Sequence, residues 1–357
     1  MTSSASDSPP DLASAVQAFQ AQVGIDLGGL GAGLLWALAD ELGLLEAMRD
    51  QPRTAEEVAA ATHADPRSVT EVLNGLVAAG YLSASEDRFE LPAAHAAVLV
   101  DGYPTSVAGS MQEIGAIATM WPRVVEACRD GAGIEPGDYP PGLGVGMERM
   151  GALAYQEALP NRWIPAVAGL ADRLSTGARV ADVGCGRGRA LLSLASAFPG
   201  VTGAGFDLDP RSLAAAAEAA DALGMADRVS FQRLDLGAGL PETFDLVLAF
   251  DVLHDAGDPA AVARSLRGST AEDGVLLVLE PLSADDPAEN VGPLATLMHL
   301  VSVGYCLPVA THAGGARLGT LGLPEAALRE LVVQAGFSTC RRLPVKAAFN
   351  ACYEVRP

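Results

Sequence analysis

The stretch Arg179-Val-Ala-Asp182-Val-Gly184-Cys-Gly186-Arg-Gly188 runs from a short apolar segment into three alternate glycines. The apolar segment predicts a buried β-strand, and a helical pattern follows Gly188. Glycines at such a turn permit a tight loop and let a ligand approach the backbone, where amides at the helix N-terminus face it. Position 189 is arginine rather than the third glycine of a G-x-G-x-x-G motif, which disfavours a nicotinamide or flavin site.

Apolar runs and helical segments alternate after this loop. The apolar runs predict strands over residues 179–183, 201–206, 229–232, 244–250, 274–280, 339–343 and 347–354. Because helices separate most of these runs, the pattern predicts an α/β fold with a doubly wound, Rossmann-like parallel sheet. Ligands of such sheets bind in the crevice outside the carboxyl ends of the strands.

Acidic residues follow the second and third predicted strands. Asp207 comes about twenty residues after the glycine loop, where a carboxylate can accept hydrogen bonds from both hydroxyls of a ribose. The third strand leads to Leu234-Asp235-Leu236, where an acid can accept from an adenine amino group beside apolar residues that hold the ring. A glycine loop alone is a weak signal. Three elements in this order after successive strands predict a ligand that contains a nucleoside.

A helix, turn, helix and hairpin pattern lies near the N-terminus. Thr54 and Glu57 form a capping box for one short helix, and Asp65-Pro66 begins a second helix that ends at Gly80. A polar turn over residues 83–88 follows, which completes a winged helix-turn-helix. Residues 50–100 hold three arginines against eight acids. A duplex-binding face needs the opposite balance, so we expect a dimerisation module here.

Two further segments of the N-terminal half read as helical. Residues 12–48 have apolar residues at helical spacing, interrupted by five glycines, which predicts two closely packed helices. Residues 101–173 are mostly helical, with a Gly/Pro-rich loop over residues 131–146 that is either a linker or a lid over a pocket. The stretch 147–174 predicts one long helical run, bent at Pro160.

Composition narrows the classes of partner. The formal net charge of −21 repels nucleic-acid phosphates and anionic lipid. The five cysteines are scattered without a C-x-x-C pair and indicate reduced thiols in the cytoplasm. Residues 1–11 lack a signal peptide and predict a disordered tail. The apolar stretches 27–39 and 294–310 predict buried helices rather than membrane spans.

These motifs together resemble the class I S-adenosylmethionine-dependent methyltransferases. The resemblance is closest to bacterial small-molecule O-methyltransferases that carry an N-terminal winged-helix dimerisation domain, and it covers roughly residues 12–357. Its specific segments are residues 180–188, 205–210, 244–255 and 335–337. The resemblance implies a seven-stranded sheet, a homodimer and S-adenosylmethionine as the cofactor. It also implies a winged-helix domain over residues 12–100, a helical linker or lid over 101–173 and a catalytic domain over 174–357.

The resemblance also implies which residues contact the cofactor. Gly184, Gly186 and Gly188 would line its methionine part, and Asp207 with the neighbouring Leu208 its ribose. Asp235 and Leu236 would contact adenine, and Phe250 and Asp251 would lie beside the sulfonium. From the residues themselves, we expect Asp182 to orient the loop amides and Cys185 to be a small filler rather than a nucleophile, since no histidine neighbours it in sequence.

His254-Asp255 follows the fourth predicted strand. In the family that the chain resembles, a His-Asp pair at this place supplies the general base that deprotonates the acceptor hydroxyl. We therefore expect His254 as the base, oriented by Asp255 or another acid. Family members of the plant type have Trp after the pair, whereas Ala256-Gly257 follow here, which leaves the acceptor open.

Other functions on this scaffold remain open from sequence. Related 2-oxo-acid C-methyltransferases use histidines to hold a metal, and His254 and His299 are the candidates, although we expect no metal because two histidines without fixed spacing are a weak signature. A non-methylating cyclase and a ligand-sensing transcription regulator are further alternatives. Candidate substrate-pocket residues by position are Tyr155, Trp163, Glu280, Met298, His299 and Tyr305.

Overall fold

The computed structural model describes residues 11–347 and 349–357. Residues 1–10, most of the predicted tail, lie outside the described residues, and Asp11 accepts a hydrogen bond from the amide of Ser14 at the start of the first helix. The chain divides into two compact units between Met111 and Gln112. Each unit is described by itself.

The first unit is helical with a small sheet. Its elements are α1 (Leu12–Glu41), α2 (Leu44–Ala47), β1 (Arg53–Thr54), α3 (Ala55–Thr62), α4 (Pro66–Ala78), β2 (Ser83–Ser85), β3 (Arg88–Glu90) and α5 (Ala93–Leu99). The predicted capping box is present, since the Thr54 hydroxyl accepts from the Glu57 amide at 3.2 Å and the Glu57 carboxylate accepts from the Thr54 amide at 2.9 Å. The Asp65 side chain caps α4, and the strands pair in the order β1-β3-β2.

The prediction of two packed helices over residues 12–48 is wrong. One helix of 30 residues, α1, covers most of the segment, and only the short α2 follows it. The glycines within α1 keep helical backbone angles, and the first positive φ is at Gly43, 71°, beyond the helix. Each glycine weakens a helix by about 1 kcal/mol relative to alanine. This cost does not end the helix at the glycines, because no capping residue and no residue with a left-handed backbone interrupts α1.

The second unit is built on a seven-stranded sheet. Its strands are β4 (Arg179–Val183), β5 (Thr202–Asp207), β6 (Val229–Arg233), β7 (Phe244–Phe250), β8 (Thr270–Pro281), β9 (Thr339–Arg342) and β10 (Asn350–Arg356). They lie in the order β6-β5-β4-β7-β8-β10-β9. The first five are parallel, and β10 runs antiparallel to both of its neighbours. The predicted α/β, doubly wound fold is confirmed.

Helices cover the residues between these strands. They are α6 (Ala108–Thr119, which begins before the division), α7 (Trp121–Asp130), α8 (Gly142–Leu153), α9 (Leu170–Thr176), α10 (Arg189–Ala197), α11 (Pro210–Ala222), α12 (Pro259–Ser269), α13 (Pro293–Val301), α14 (Leu307–His312) and α15 (Glu325–Gln334). Single 3-10 turns occur at Pro136–Asp138, Ile164–Ala166, Leu236–Ala238 and Pro287–Glu289. Two segments, Ala154–Trp163 and Ser302–Cys306, are π-helical.

The helical region before the sheet differs in detail from its prediction. The expected loop over residues 131–146 is shorter, because a 3-10 turn occupies Pro136–Asp138 and α8 already begins at Gly142. The run over residues 147–174 is broken into α8, the π-helical segment, a 3-10 turn and α9. Pro160 lies inside the π-helical segment, where its missing amide removes one backbone hydrogen bond.

Two helical runs, Leu12–Glu41 and Pro293–His312, are long and apolar enough to cross a membrane. Core helices of soluble proteins pass the same test. The side chains of α1 are exposed over residues 12–31, and Ala32, Trp36 and Ala39 are the buried residues of this helix. The expectation that neither run spans a bilayer stays a prediction.

Alternate residues of the central strands pack on opposite faces of the sheet. In β7, Leu246 and Leu248 join the core on one face, whereas Val247 and Ala249 join the core on the other. All four are fully buried, as expected for a parallel strand covered by helices on both sides. The carboxyl ends of β4, β5, β7 and β8 consequently lie at one edge, held rigidly by two cores.

Replacing Phe206 by alanine tests this core. The Phe206 ring is fully buried in β5, and its centroid lies 6.2 Å from that of Phe244. We expect Phe206→Ala to lower the free energy of unfolding by about 3–5 kcal/mol, measured by chemical denaturation. The control Leu223→Ala removes a half-exposed side chain and changes the value by less than about 0.5 kcal/mol. Equal losses in both variants would contradict this account of the core.

Candidate active site

The glycine loop between β4 and α10 lies where the sheet reverses its winding order. β4 pairs with β5 on one side and β7 on the other, both in parallel. Gly184, Gly186 and Gly188 have φ values of 62°, 50° and 77°, in the left-handed region that favours glycine. A Cβ on Gly188 would lie 2.6 Å from the Phe231 ring, whereas one on Gly186 would meet nothing within 4 Å. The loop therefore packs against Phe231 at Gly188, whereas Gly186 faces open space.

Asp207 holds this loop from the end of β5. One carboxylate oxygen accepts from the Gly186 amide at 2.8 Å, and the other from the Asp209 amide at 2.9 Å. Burial raises the pKa of Asp207, against the lowering effect of these amides. Each carboxylate oxygen has two lone pairs, so each retains one acceptor position for a ligand hydroxyl.

Asp182 and Cys185 lie beneath the loop. Asp182 is 2% exposed, and its carboxylate accepts from the Leu191 amide in α10 at 3.3 Å, so it joins the strand to the helix. Burial raises the pKa of Asp182 to about 7. Burial also raises the pKa of the Cys185 thiol, which keeps it neutral and agrees with the prediction of a filler.

Asp235, Leu236 and Leu208 lie along the same edge. Asp235 caps the 3-10 turn Leu236–Ala238, and its Oδ1 accepts from the Gly237 amide at 3.0 Å. The side chain of Leu208 is half exposed, and that of Leu236 is partly buried. Asp235 and Leu236 follow β6, which pairs with β5 on the side away from β4. A carboxylate and apolar side chains are therefore available to a ligand on that side of Asp207.

Three aromatic rings meet at the end of β7. Tyr155 stacks on Phe250 with centroids 5.6 Å apart, and Trp163 meets both rings edge-on. Trp163 is 1% exposed and lies in the core, whereas Tyr155 retains accessible surface. Asp251, next in sequence, has a φ of 56° and accepts a hydrogen bond from the Asn350 amide.

His254 is buried between carboxylates. Its Nδ1 lies 2.6 Å from Glu280 Oε2, and its Nε2 lies 3.3 Å from Asp255 Oδ1. Burial alone lowers the pKa of His254, but the carboxylates of Asp255 and Glu280 outweigh it and raise that pKa well above its ordinary value. The imidazole is therefore oriented by Glu280 through Nδ1, with Nε2 on the opposite side.

Glu280, a candidate for the substrate pocket from the sequence, lies near the carboxyl end of β8. Its side chain is 1% exposed, and Oε1 accepts from the Leu253 amide at 2.9 Å while Oε2 holds His254. Both carboxylate oxygens thus face the loop after β7. Glu280 orients His254 from behind rather than facing open space.

Of the later candidates, Tyr305 precedes Cys306 in sequence, and the Cys306 sulfur lies within 4.8 Å of donor atoms of His254 and Asp255. It lies in the π-helical segment Ser302–Cys306, with its ring edge-on to Tyr139 at 5.1 Å. π-helical turns are frequent at functional sites, and Tyr155 lies on the other one. Met298 is partly buried and His299 is exposed, both on α13.

One group of possible metal ligands exists among the described residues. The donor atoms of His254, Asp255 and Cys306 all lie within 4.8 Å of one another. His299, the partner considered from sequence, is not part of this group. The Cys306 sulfur also lies 3.0 Å from the Thr320 hydroxyl. The expectation that the protein holds no metal stays a prediction.

Cys306, a pocket candidate by its position in the sequence, lies in the π-helical segment. Two further residues had no signal in the sequence, namely Glu113 in α6 and Asn350 at the start of β10. Each reaches the site through tertiary packing of an element that carries no motif. Glu148 of α8 was missed for the same reason, although it pairs with Arg187 and Arg189 and so holds α8 against the glycine loop.

Comparisons with known proteins show what this chain is similar to. Residues 174–311 match the family model described as a methyltransferase domain. The chain is 29% identical to the O-demethylpuromycin-O-methyltransferase of Streptomyces alboniger over 85% of this chain and 80% of that protein. It is 29% identical to the mitomycin biosynthesis 6-O-methyltransferase of Streptomyces lavendulae, over 75% and 78%.

Solved structures share the fold over the full length. The mitomycin 7-O-methyltransferase MmcR has a TM-score of 0.69 at 24% identity, with 96% of this chain and 99% of that chain covered. PigF in complex with SAH has a TM-score of 0.70 at 22% identity, with 95% and 99% covered. The matched domain and the methyltransferase relatives define an S-adenosylmethionine-dependent methyltransferase. Among such enzymes, this chain is similar to the Streptomyces O-methyltransferases of antibiotic biosynthesis.

A pair of glycine substitutions tests the loop packing. Gly224→Ala introduces a side chain at φ 65° with nothing within 4 Å, so we expect it to cost about 1–2 kcal/mol of backbone strain. Gly188→Ala adds a clash with Phe231 to similar strain, and we expect a further loss of about 1–3 kcal/mol. Denaturation curves of both variants measure the difference. If the two losses were equal, the close packing behind the loop would be refuted.

Proposed function

We propose that this enzyme methylates a hydroxyl oxygen of a small organic acceptor in bacterial secondary metabolism, with His254 as the general base. The observation that carries the proposal is the buried pair of His254 and Glu280. Because Glu280 accepts a hydrogen bond from Nδ1–H, the tautomer that results places the basic lone pair on Nε2. A base held in one tautomer and orientation suits removal of a proton from an acceptor.

The edge of the sheet fits the cofactor. Gly184, Gly186 and Gly188 line its methionine part in our proposal, with the open side at Gly186 available for contact. Asp207 offers the free lone pair of each oxygen to the ribose hydroxyls, and Leu208 packs beside them. Asp182 and Cys185 support the loop from below, so they shape the cofactor site without facing it directly.

Residues at the neighbouring strand ends would contact the adenine and the sulfonium of the cofactor. Asp235 and Leu236 provide an acceptor and an apolar surface for adenine. Phe250 and Asp251 follow from β7 and lie beside the sulfonium in this arrangement. A carboxylate there stabilises positive charge, and Asn350 holds it in place.

The chemistry at His254 is a proton transfer coupled to methyl transfer. When bound, S-adenosylmethionine supplies an activated methyl group whose carbon–sulfur bond breaks towards sulfur. His254 Nε2 takes the proton of the acceptor hydroxyl, so the oxygen gains the electron pair that forms the new bond to carbon. Positioning supplies much of the rate of such a displacement, and the base adds to it.

The charge state of His254 follows from its neighbours. Burial lowers the pKa of His254, but the carboxylates of Asp255 and Glu280 raise it overall, which favours the protonated imidazole. His254 acts as a base in its neutral form. Positive charge that enters the site opposes the protonated form and lowers this pKa. Asp255 thus tunes the base, while Glu280 orients it.

The acceptor lies against aromatic side chains in our proposal. Tyr155 and Tyr305 retain accessible surface close to the strand ends and are the strongest candidates. Met298 and His299 of α13 remain candidates with less support. Glu280 and Trp163 are buried, so in this proposal they support His254 and the aromatic rings rather than contact the acceptor. A C-methylation reaction is the second possibility, favoured by the group of His254, Asp255 and Cys306, which is able to hold a metal.

We propose that this enzyme is soluble and works in the cytoplasm as a homodimer. Support comes from α1, where apolar side chains including Phe19, Ile25 and Leu30 are more than 60% exposed in the single chain. A second copy that covers this helix would remove that surface from water. The winged-helix region over residues 12–100 serves dimerisation in this proposal, and residues 101–173 roof the substrate pocket.

Replacing His254 tests the base. We expect His254→Ala to lower kcat by roughly 100- to 10,000-fold, because the acceptor hydroxyl loses its base. The control His312→Ala changes an exposed imidazole and leaves kcat unchanged. For the unmodified enzyme, the raised pKa of His254 means that kcat falls as the pH is lowered through that pKa. Unchanged turnover in His254→Ala, with a native fold, would show that His254 is not the base.

Replacing Asp207 tests the cofactor site. Asp207→Asn removes the charged acceptor for the ribose, so we expect the Kd for S-adenosylhomocysteine to rise roughly 10- to 100-fold. Isothermal titration calorimetry measures this change. Asp221→Asn, an exposed position on α11, serves as the control and keeps the original Kd. If both variants bound S-adenosylhomocysteine with equal affinity, Asp207 would not be a cofactor-binding residue.

A further inference from the structure

One continuous segment crosses three neighbouring strand ends of the sheet. Residues 139–163, which we call the cover segment, comprise a short connection, α8 and the π-helical segment Ala154–Trp163. The cover segment contacts residues that follow β5, residues that follow β4 and the last residue of β7, and these strands are neighbours in the order β5-β4-β7. It therefore lies along the edge at which the cofactor binds in the proposed function.

The first contact is with the start of α11, which follows β5. Arg211 Nη1 donates a hydrogen bond to the carbonyl of Tyr139 at 3.2 Å. A Cβ on Gly144 of α8 would lie 3.7 Å from the hydroxyl of Ser212, which is ordinary van der Waals contact. Asp209 holds both partners in α11, since its carboxylate accepts from the amides of Arg211 and Ser212 at 3.2 Å. The beginning of the cover segment is thus fixed beside the end of β5.

The last contact is with Phe250 at the end of β7. Tyr155 stacks on the Phe250 ring, and Trp163 meets that ring edge-on with centroids 6.0 Å apart. The Tyr155 ring also packs against Gly151 of α8 so closely that a Cβ there has no room. Apolar contacts of buried rings therefore fix the end of the cover segment.

The contact between these two is electrostatic and involves the glycine loop itself. Glu148 of α8 pairs with Arg187 through one carboxylate oxygen and with Arg189 through the other. Arg187 lies between Gly186 and Gly188, and Arg189 begins α10. The Glu148 side chain is 19% exposed, whereas both guanidinium groups are partly exposed. Charge-assisted hydrogen bonds of this kind are stronger than neutral ones, and salt weakens them where water reaches them.

The backbone of the cover segment offers a place to bend. The π-helical segment follows α8 directly and contains Pro160, which removes a backbone hydrogen bond. Helices bend at π-helical turns and at proline. If α8 moves away from the glycine loop about this point, the ion pairs of Glu148 break, whereas the ring contacts at Phe250 lie beyond α8. Opening of the edge therefore costs the interaction of Glu148 with two arginines.

We propose that Glu148 is a positioning residue that holds the cover segment closed over the bound cofactor and so controls how fast S-adenosylhomocysteine leaves. Glu148 acts through Arg187 and Arg189 and does not touch the reacting atoms. The inference rests on the cofactor placement of the proposed function and extends it to product release. Closure of a segment over a site, followed by opening for release, is a common way in which enzymes retain a ligand.

The dissociation rate of S-adenosylhomocysteine tests this proposal. The radiolabelled compound is bound to the enzyme and then chased with an excess of unlabelled compound, which gives koff, and binding at several concentrations gives kon. In Glu148→Gln we expect koff to rise roughly 5- to 30-fold, because a neutral amide holds the guanidinium groups less strongly. We expect kon to stay unchanged or to rise, whereas a merely structural loss of the glycine loop would lower kon.

Salt provides a second measurement on the unmodified enzyme. Because ions screen partly exposed pairs, we expect koff to rise at least about threefold from about 0.05 to about 0.5 M NaCl, and to change by less than about 1.5-fold in Glu148→Gln. Glu325 of α15 is the matched control, since it also pairs with two arginines, Arg329 at 2.7 Å and Arg342 at 3.6 Å. Arg342 belongs to β9, the strand at the opposite edge of the sheet from β6. Glu325→Gln keeps the original koff and its response to salt.

Several results overturn the proposal. It fails if koff of Glu148→Gln stays within about twofold of the original value, or if the affinity falls through kon instead. It also fails if koff of the unmodified enzyme does not respond to salt, or if Glu325→Gln has the same effect as Glu148→Gln. An error in the cofactor placement is recognised separately, because Asp207→Asn would then leave the Kd unchanged. All measurements use S-adenosylhomocysteine without an acceptor, so they are independent of whether O-methylation is confirmed.

Discussion

The pairing of β4 between β5 and β7 is the constraint on which the site depends. Parallel strands end at the same edge, so residues far apart in sequence come together there. The glycine loop after β4, Asp207 after β5 and His254 after β7 reach that edge through this pairing. The next parallel pair, β7 with β8, brings Glu280 behind His254. Two cores, one on each face, keep these strand ends in place.

Carboxyl groups are concentrated at this edge of the sheet, and basic side chains of the protein neutralise only some of them. A buried ion pair costs desolvation, and its retention at His254 and Glu280 is better explained by a chemical role than by stability. Asp182 and Glu113 each have a pKa raised to about 7 by burial. Such an acidic interior is poorly suited to anionic ligands. It is well suited to a cofactor with a sulfonium.

The sequence allowed the cofactor edge to be predicted better than the acceptor side. The three glycines and Asp207 follow from spacing along adjacent strands, and the structure brings them together as expected. His254 was predicted from its place after a strand, but its partner was expected to be Asp255 or another acid, and the orienting group is Glu280. The periodicity of the sequence does not show which strands are neighbours in the sheet, so it does not predict that the end of β8 lies beside the loop after β7.

Glu113 shows why the rest was not predictable. It lies in a helix without a cap or motif, and its neighbours Asp251 and Asp255 come from a loop more than a hundred residues later. An acid between apolar residues of a helix predicts an exposed position, whereas this one is buried. What places it is the close contact of Ile117 with Gly304, a contact that requires a glycine on the opposing segment. The burial of this acid therefore depends on helix packing, which local sequence does not encode, while the cofactor edge depends on strand ends, which it does.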